Sequence, residues 1–87
     1  MPKPHHPLVS KEWAEKLEPY FERLKPREEA IIRMRYGLSK EPNYLVEKEF
    51  TLQEIGHKFG ISRERCRQII YRSIFRLYSI YRKEAEA

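Results

Sequence analysis

The feature that most constrains this chain is a joint. Phe59-Gly60-Ile61-Ser62 separates two stretches of helical periodicity, and this is the three- to four-residue spacing of a helix-turn-helix. Gly60 can take the positive φ that such a turn often needs. Gly56 is small where the second helix must cross the first closely, and Ile55, Phe59, Ile61, Cys66 and Ile69 fall where the two face each other. Upstream, Thr51-Leu52-Gln53-Glu54 reads as a capping box, the Thr hydroxyl accepting from the N–H three residues on while the Glu carboxylate reaches back. Ser62 is the N-cap candidate of the next helix, which the pattern carries to about Tyr81.

The rest of the chain fits around that pair. Residues 1–9 hold Pro2, Pro4 and Pro7 without periodicity and read as a flexible arm. Ser10 caps a helix with Trp13, Leu17, Tyr20, Phe21 and Leu24 on its apolar side. Pro19 interrupts it, which predicts a kink or two short helices divided near Glu18. Pro26 suits the first turn of a further helix, with Glu28 and Glu29 near its positive end. Ala30, Ile31, Met34 and Tyr36 form its expected buried stripe, and Gly37 its stop. Ser39–Phe50, with Pro42 and Asn43, reads as a loop. No strand signal emerges, so the fold class is all-α: four to five helices, a domain over 10–83, a helix-turn-helix at its C-terminal end and a tail at 84–87.

Several function classes drop out. An 87-residue chain buries only roughly 60% of its unfolded surface, leaving little room for an enclosed active site. Cys66, the one cysteine, cannot build a disulfide framework and fits a cytoplasmic location. It falls on an inward helix face without a base beside it, so packing is the better reading than nucleophilic chemistry. His5 and His6 lie in the arm apart from His57, and no second Cys or any Asp joins them, so no metal or other cofactor is expected. Glu28-Glu29 are accounted for by the helix dipole rather than by acid–base catalysis. No apolar run approaches the roughly 20 residues that span a bilayer, and the segment around Trp13 is charge-balanced, unlike a membrane-surface helix. The chain is not expected to be an enzyme.

Charge points to a partner. The net charge is +5, and it concentrates late: Lys58, Arg63, Arg65, Arg67, Arg72, Arg76, Arg82 and Lys83 stand against Glu64 alone between 58 and 83. Such a field suits a polyanion, because each neutralised phosphate releases condensed counterions. With Cys66 and Ile69 inward, the opposite face presents Arg63, Glu64, Arg67, Gln68 and, one turn on, Tyr71. Arg can pair with guanine, Glu can accept from the cytosine amine, and Gln can pair with adenine. Ser62 and its neighbouring N–H groups can hold a phosphate at the helix start.

These words also resemble a known family. Leu24-Lys25-Pro26-Arg27-Glu28-Glu29, Met34-Arg35-Tyr36-Gly37-Leu38, Thr51-Leu52-Gln53-Glu54-Ile55-Gly56 and Ser62-Arg63-Glu64-Arg65-Cys66-Arg67-Gln68-Ile69 are similar, in that order, to region 4 of the sigma-70 family. That is the C-terminal DNA-binding domain of bacterial RNA polymerase sigma factors, and the likeness covers about residues 13–78. It implies an all-α domain whose second helix enters the major groove of the −35 promoter element. Arg63, Glu64 and Gln68 would then read bases, while Thr51, Leu52, Gln53, Ser62, Arg65 and Arg67 would meet the DNA backbone. The family also grips the flap-tip helix of the polymerase β subunit with its earlier helices, which here implicates apolar side chains between Trp13 and Tyr36.

The chain departs from the family at two points. Cys66 stands where a branched aliphatic is usual. Ile70 stands where many members carry a Glu that meets transcription activators, so contact through that charge is not expected. Ile70, Ile74, Tyr78 and Tyr81 add an apolar stripe beside Cys66, Ile69, Ser73, Leu77 and Ile80, read either as a wider core or as a surface for a partner or a second copy. The chain also lacks room for the promoter-melting part of a sigma factor, and Met1 with its Pro-rich arm leans towards a stand-alone protein. Two other readings stay open: a module that binds the flap or competes with a sigma factor without reading DNA, and a phage or mobile-element regulator unconnected to polymerase.

Overall fold

The computed structural model of the protein describes residues 10–38 and 49–86. In order these form α1 (Lys11–Leu17), a 3₁₀ helix (Glu18–Arg23), α2 (Pro26–Tyr36), α3 (Leu52–Phe59) and α4 (Arg63–Glu86). The expected arm at 1–9 and most of the expected loop, 39–48, lie outside the described residues.

Local chemistry sets each boundary. Ser10 Oγ accepts from the Trp13 N–H at 3.3 Å and starts α1. Proline at 19 has no N–H to continue the ladder, so the helix tightens: Glu18 donates back to Glu15 O and the chain proceeds as 3₁₀ helix. The division expected near Glu18 is therefore present. Pro26 opens α2, where Glu28 accepts from the Lys25 N–H at 3.1 Å. Gly37 closes it at φ 66°, in the left-handed region that disfavours a Cβ.

The core runs along α4. Cys66, Ile69, Ile70, Ser73, Ile74 and Leu77 are buried on its inner side, against Ala14, Leu17, Phe21, Leu24, Ile31, Ile32, Tyr36 and Ile55. Every other described element packs on α4. Ala14 and Ile32 were absent from the expected stripes, whereas Ala30 and Met34 are only half-buried.

Two expectations need correction. The stripe of Ile70, Ile74, Tyr78 and Tyr81 is not a free surface for a partner or a second copy. Ile70 and Ile74 are fully buried, and Trp13 meets Tyr78 and Tyr81 edge-on at ring-centroid distances of 5.5 and 5.9 Å. The physical reason is packing from upstream: Trp13 of α1 lies over Tyr78 and Tyr81, and Ile70 and Ile74 join the core shared with the other helices, the wider-core alternative. The last helix also outruns Tyr81 and ends at Glu86, so Glu84–Glu86 are helical rather than a tail. Arg82 pairs with Glu86 one turn on, and Glu84 pairs with Arg23 of the 3₁₀ helix. Such pairs favour the last turns.

The joint itself is tight. Gly60 closes α3 at φ 67° and donates to Gly56 O and His57 O, while Ile61 donates to Gly56 O at 2.9 Å. A Cβ at Gly56 would stand 2.7 Å from Ile61 O, a backbone atom that cannot swing aside. Gly56→Ala is expected to cost about 1–3 kcal/mol through this clash, read as a lowered urea midpoint. Gly60→Ala would meet no atom within 4 Å, so its cost comes from φ alone, about 1 kcal/mol.

Candidate nucleic-acid interface

The N-terminal turns of α3 and α4 open onto one face. Thr51 Oγ1 accepts from Glu54 N at 3.1 Å and Glu54 Oε1 accepts from Thr51 N at 2.9 Å, the expected capping box. Ser62 Oγ accepts from Arg65 N at 3.0 Å and caps α4. That bond uses the hydroxyl as acceptor and leaves its proton free to donate outward.

The approach to α3 is pinned by a residue that sequence reasoning gave no role. Arg35, near the end of α2, donates from Nη1 to Phe50 O at 3.0 Å, and Phe50 N donates to Met34 O at 3.0 Å. The residue before the α3 cap is thereby tied to α2. Arg35 also enters the site, lining a groove of about 640 Å³ with Thr51, Leu52, Gln53, Arg63, Glu64 and Arg67. Its only sequence signal was membership of the Met34-Arg35-Tyr36-Gly37-Leu38 word.

Within this groove the expected residues divide. Arg63, Glu64, Arg67 and Gln68 are exposed on the outer side of α4, opposite Cys66 and Ile69. Gln68 sits beyond the groove, beside a shallow notch shared with Arg67, Tyr71 and Arg72. Arg65, also exposed, reaches towards Gln68 Oε1 at 3.5 Å. Leu52 is half-buried against the core, and Gln53 is exposed. The Arg63 side chain makes no hydrogen bond among the described residues, so its five donors are available.

Two of these residues are joined to each other. Arg67 grips Glu64: its Nε donates to both carboxylate oxygens, at 2.8 and 3.0 Å, and its Nη2 stands 2.7 Å from Oε1. Arg67, expected on the DNA backbone, holds the carboxylate of a candidate reader one turn away. The hydrogen bond from Arg67 keeps the Glu64 pKa below the usual value; desolvation opposes it, and the charges of Arg67 and Arg63 add smaller lowering effects. The same bond raises the Arg67 pKa.

The pair gives a pH expectation. A lowered carboxyl pKa contributes stability above the ordinary Glu value of about 4.3 and loses it as pH falls through the lowered one. Because both groups are well exposed, the readout is the titration itself. The Glu64 side-chain carboxyl carbon is expected to titrate by NMR below the ordinary value, and Arg67→Ala should return it upward. An unchanged midpoint in the variant would show the grip absent in solution.

Cys66 lies on the inner side of α4, opposite the exposed Arg63, Glu64 and Gln68, and is fully buried. Burial pushes its thiol pKa up, against a smaller lowering by Arg35, so it packs as a small hydrophobe. Among the described residues, no group of three or more His, Cys, Asp or Glu could hold a metal ion, and no helix is long and apolar enough to cross a membrane.

Comparison with known proteins agrees with this architecture. The family model described as "Sigma-70, region 4" matches residues 20–79. The chain is 41% identical over 63 residues to the RNA polymerase sigma factor RpoD of Helicobacter pylori strain ATCC 700392 / 26695, covering 72% of this chain and 9% of that protein. It is 38% identical over 69 residues to the RNA polymerase principal sigma factor HrdD of Streptomyces coelicolor, covering 79% of this chain and 19% of that protein. It is likewise 38% identical over 63 residues to the RNA polymerase sigma factor SigA of Listeria monocytogenes, covering 72% and 15%. The chain thus spans less than a fifth of the length of these relatives. No solved structure matches it. With a helix-turn-helix of the expected spacing and a family match that runs from the 3₁₀ helix through most of α4, the chain belongs to the sigma-70 region 4 family.

Proposed function

We propose that this domain reads a −35-like promoter element with the first turns of α4 and docks on the β flap of RNA polymerase, acting in the cytoplasm as a promoter-recognition module and not as an enzyme. The observation that carries this reading is the shared face of α3 and α4. Arg63, Glu64 and Gln68 stand outward on one helix, with Thr51, Gln53 and Arg35 flanking them where DNA strands would pass.

The division of labour follows from chemistry. Arg63 brings a planar fork suited to guanine, Gln68 a donor–acceptor pair suited to adenine, and Glu64 an acceptor for the cytosine amine. Arg67 keeps Glu64 ionised and oriented, so the acceptor arrives in one geometry. Arg65, Arg72 and the cap hydroxyls of Thr51 and Ser62 supply phosphate contacts, which fix register without reading sequence. Docking on polymerase would use half-buried apolar side chains of the first helices, such as Tyr20 and Met34.

The test is capture of polymerase core, and of its isolated β flap, by the 87-residue chain, with and without duplex carrying a −35-like hexamer. Flap capture with hexamer-dependent retention of DNA is the expected result. Flap capture indifferent to the DNA sequence would overturn base reading, and sequence-specific DNA binding without capture would overturn the polymerase link. A tethered reader needs only modest intrinsic affinity, because docking raises its effective concentration at the promoter.

A further inference from the structure

Among the described residues, the exposed large apolar side chains are Tyr71 and Phe75, 38% and 39% accessible. Both lie on α4, and their rings pack against each other with centroids 4.7 Å apart at 35°. Single exposed apolar groups are ordinary, but these two are adjacent and brace one another. They also continue the reading face. Tyr71 is one heptad, about two helical turns, past Glu64 and about 4.5 Å along the helix axis from Gln68. A seven-residue step returns to nearly the same face.

We infer that Tyr71, braced by Phe75, is a further specificity-determining residue that lays its ring against a thymine methyl group at the edge of the major groove. The inference rests on the promoter-reading function proposed above. The groove is about 12 Å wide, and Glu64 to Tyr71 spans about 10.5 Å of helix. A helix that seats Glu64 and Gln68 on bases therefore leaves Tyr71 at the groove margin and Phe75 outside it. Tyr71 walls a notch of about 190 Å³ together with Arg67, Gln68 and Arg72. The two arginines place that notch against DNA rather than against an apolar protein face. Of the four bases, thymine alone offers an apolar group in the major groove.

Phe75 has no polar atom for a phosphate or a base edge, and it limits the rotamers of the ring beside it. Its place outside the groove makes it a positioning residue. The Tyr71 hydroxyl is not needed for contact with a methyl group, so the ring alone should suffice.

The experiment is fluorescence anisotropy of the full chain on a −35-like hexamer duplex and on duplexes with each thymine in turn exchanged for deoxyuridine, which deletes only the methyl. Wild-type, Tyr71→Ala, Tyr71→Phe and Phe75→Ala proteins are compared after circular dichroism has established equal helix content. One exchange is expected to weaken wild-type binding about four-fold, the weight of one buried carbon group. The same exchange should leave Tyr71→Ala unaffected, because that protein has already lost the contact. Tyr71→Phe should behave as wild type, and Phe75→Ala should show a reduced effect. Equal sensitivity of wild type and Tyr71→Ala to every exchange would overturn the inference, as would wild-type affinity in Tyr71→Ala. If that variant instead loses polymerase capture with its DNA binding intact, the pair serves a protein partner and the inference fails. Absence of any hexamer preference in the wild type would remove the promoter-reading function and this inference with it. Preference retained with Tyr71 silent would remove the inference alone.

Discussion

Arg33→Ala is expected to destabilise the domain by about 2–4 kcal/mol, seen as a large drop in the midpoint of urea unfolding. Arg33 ties three segments together. Its Nε pairs with Glu29 Oε2 at 2.9 Å and its Nη1 with Glu18 Oε2 at 2.9 Å. The same Nη1 donates to Leu38 O at 2.9 Å, and the guanidinium lies 5.0 Å from the centre of the Phe21 ring. Only 14% of its side chain is accessible, and only 15% of Glu29. Removing the cation leaves a nearly buried carboxylate without its counter-charge, which costs more than the pair contributes when intact. Glu18, 41% accessible, can recover water and adds little.

That loss is large for a chain of this size. A domain of 87 residues holds about 4–13 kcal/mol in total. Arg33→Lys should recover part of the charge but not the fork that reaches two carboxylates and a carbonyl at once. A cost below about 1 kcal/mol for the alanine variant would mean that the network is only a surface ion pair.

Arg63→Ala is expected to weaken binding to a −35-like hexamer by roughly 1–3 kcal/mol and to relax base preference at one position. The measurement is affinity for the hexamer and for single-base variants at one fixed salt concentration. Arg63 faces solvent on the first turn of α4, so folding should be untouched and the loss specific. Arg72→Ala serves as the contrast. As a phosphate contact it should weaken all sequences alike and lower the salt slope by about 1. Equal weakening on every duplex by Arg63→Ala would assign that residue to phosphate as well.

The parts that could be read directly from the sequence are those with local causes. The capping box at Thr51, the stop at Gly37, the interruption by Pro19 and the joint at Phe59–Ser62 all depend on residues within a turn or two. The outward setting of Arg63, Glu64 and Gln68 follows from helical period once Cys66 faces inward. What escaped depends on elements that meet only in three dimensions. Periodicity on α4 could not decide whether Ile70 and Ile74 were covered, because the core they join is built from separate upstream elements. The bond from Arg35 to Phe50 crosses from α2 to the approach of α3, and no spacing rule connects the two. The grip of Arg67 on Glu64 follows the i,i+3 rule, but that spacing alone does not separate a held pair from two side chains that each face outward.

The order of elements has a consequence for synthesis. α1, the 3₁₀ helix, α2 and α3 each turn apolar side chains towards α4, and α4 is the last of them to be made. A ribosome that has added Ile61 has therefore produced four helical segments without the surface that buries Leu17, Phe21, Ile31 and Ile55. Helices this short are marginal in water without packing. The nascent chain gains its core only as Cys66 through Leu77 emerge, so the fold and the outward face of α4 become available together.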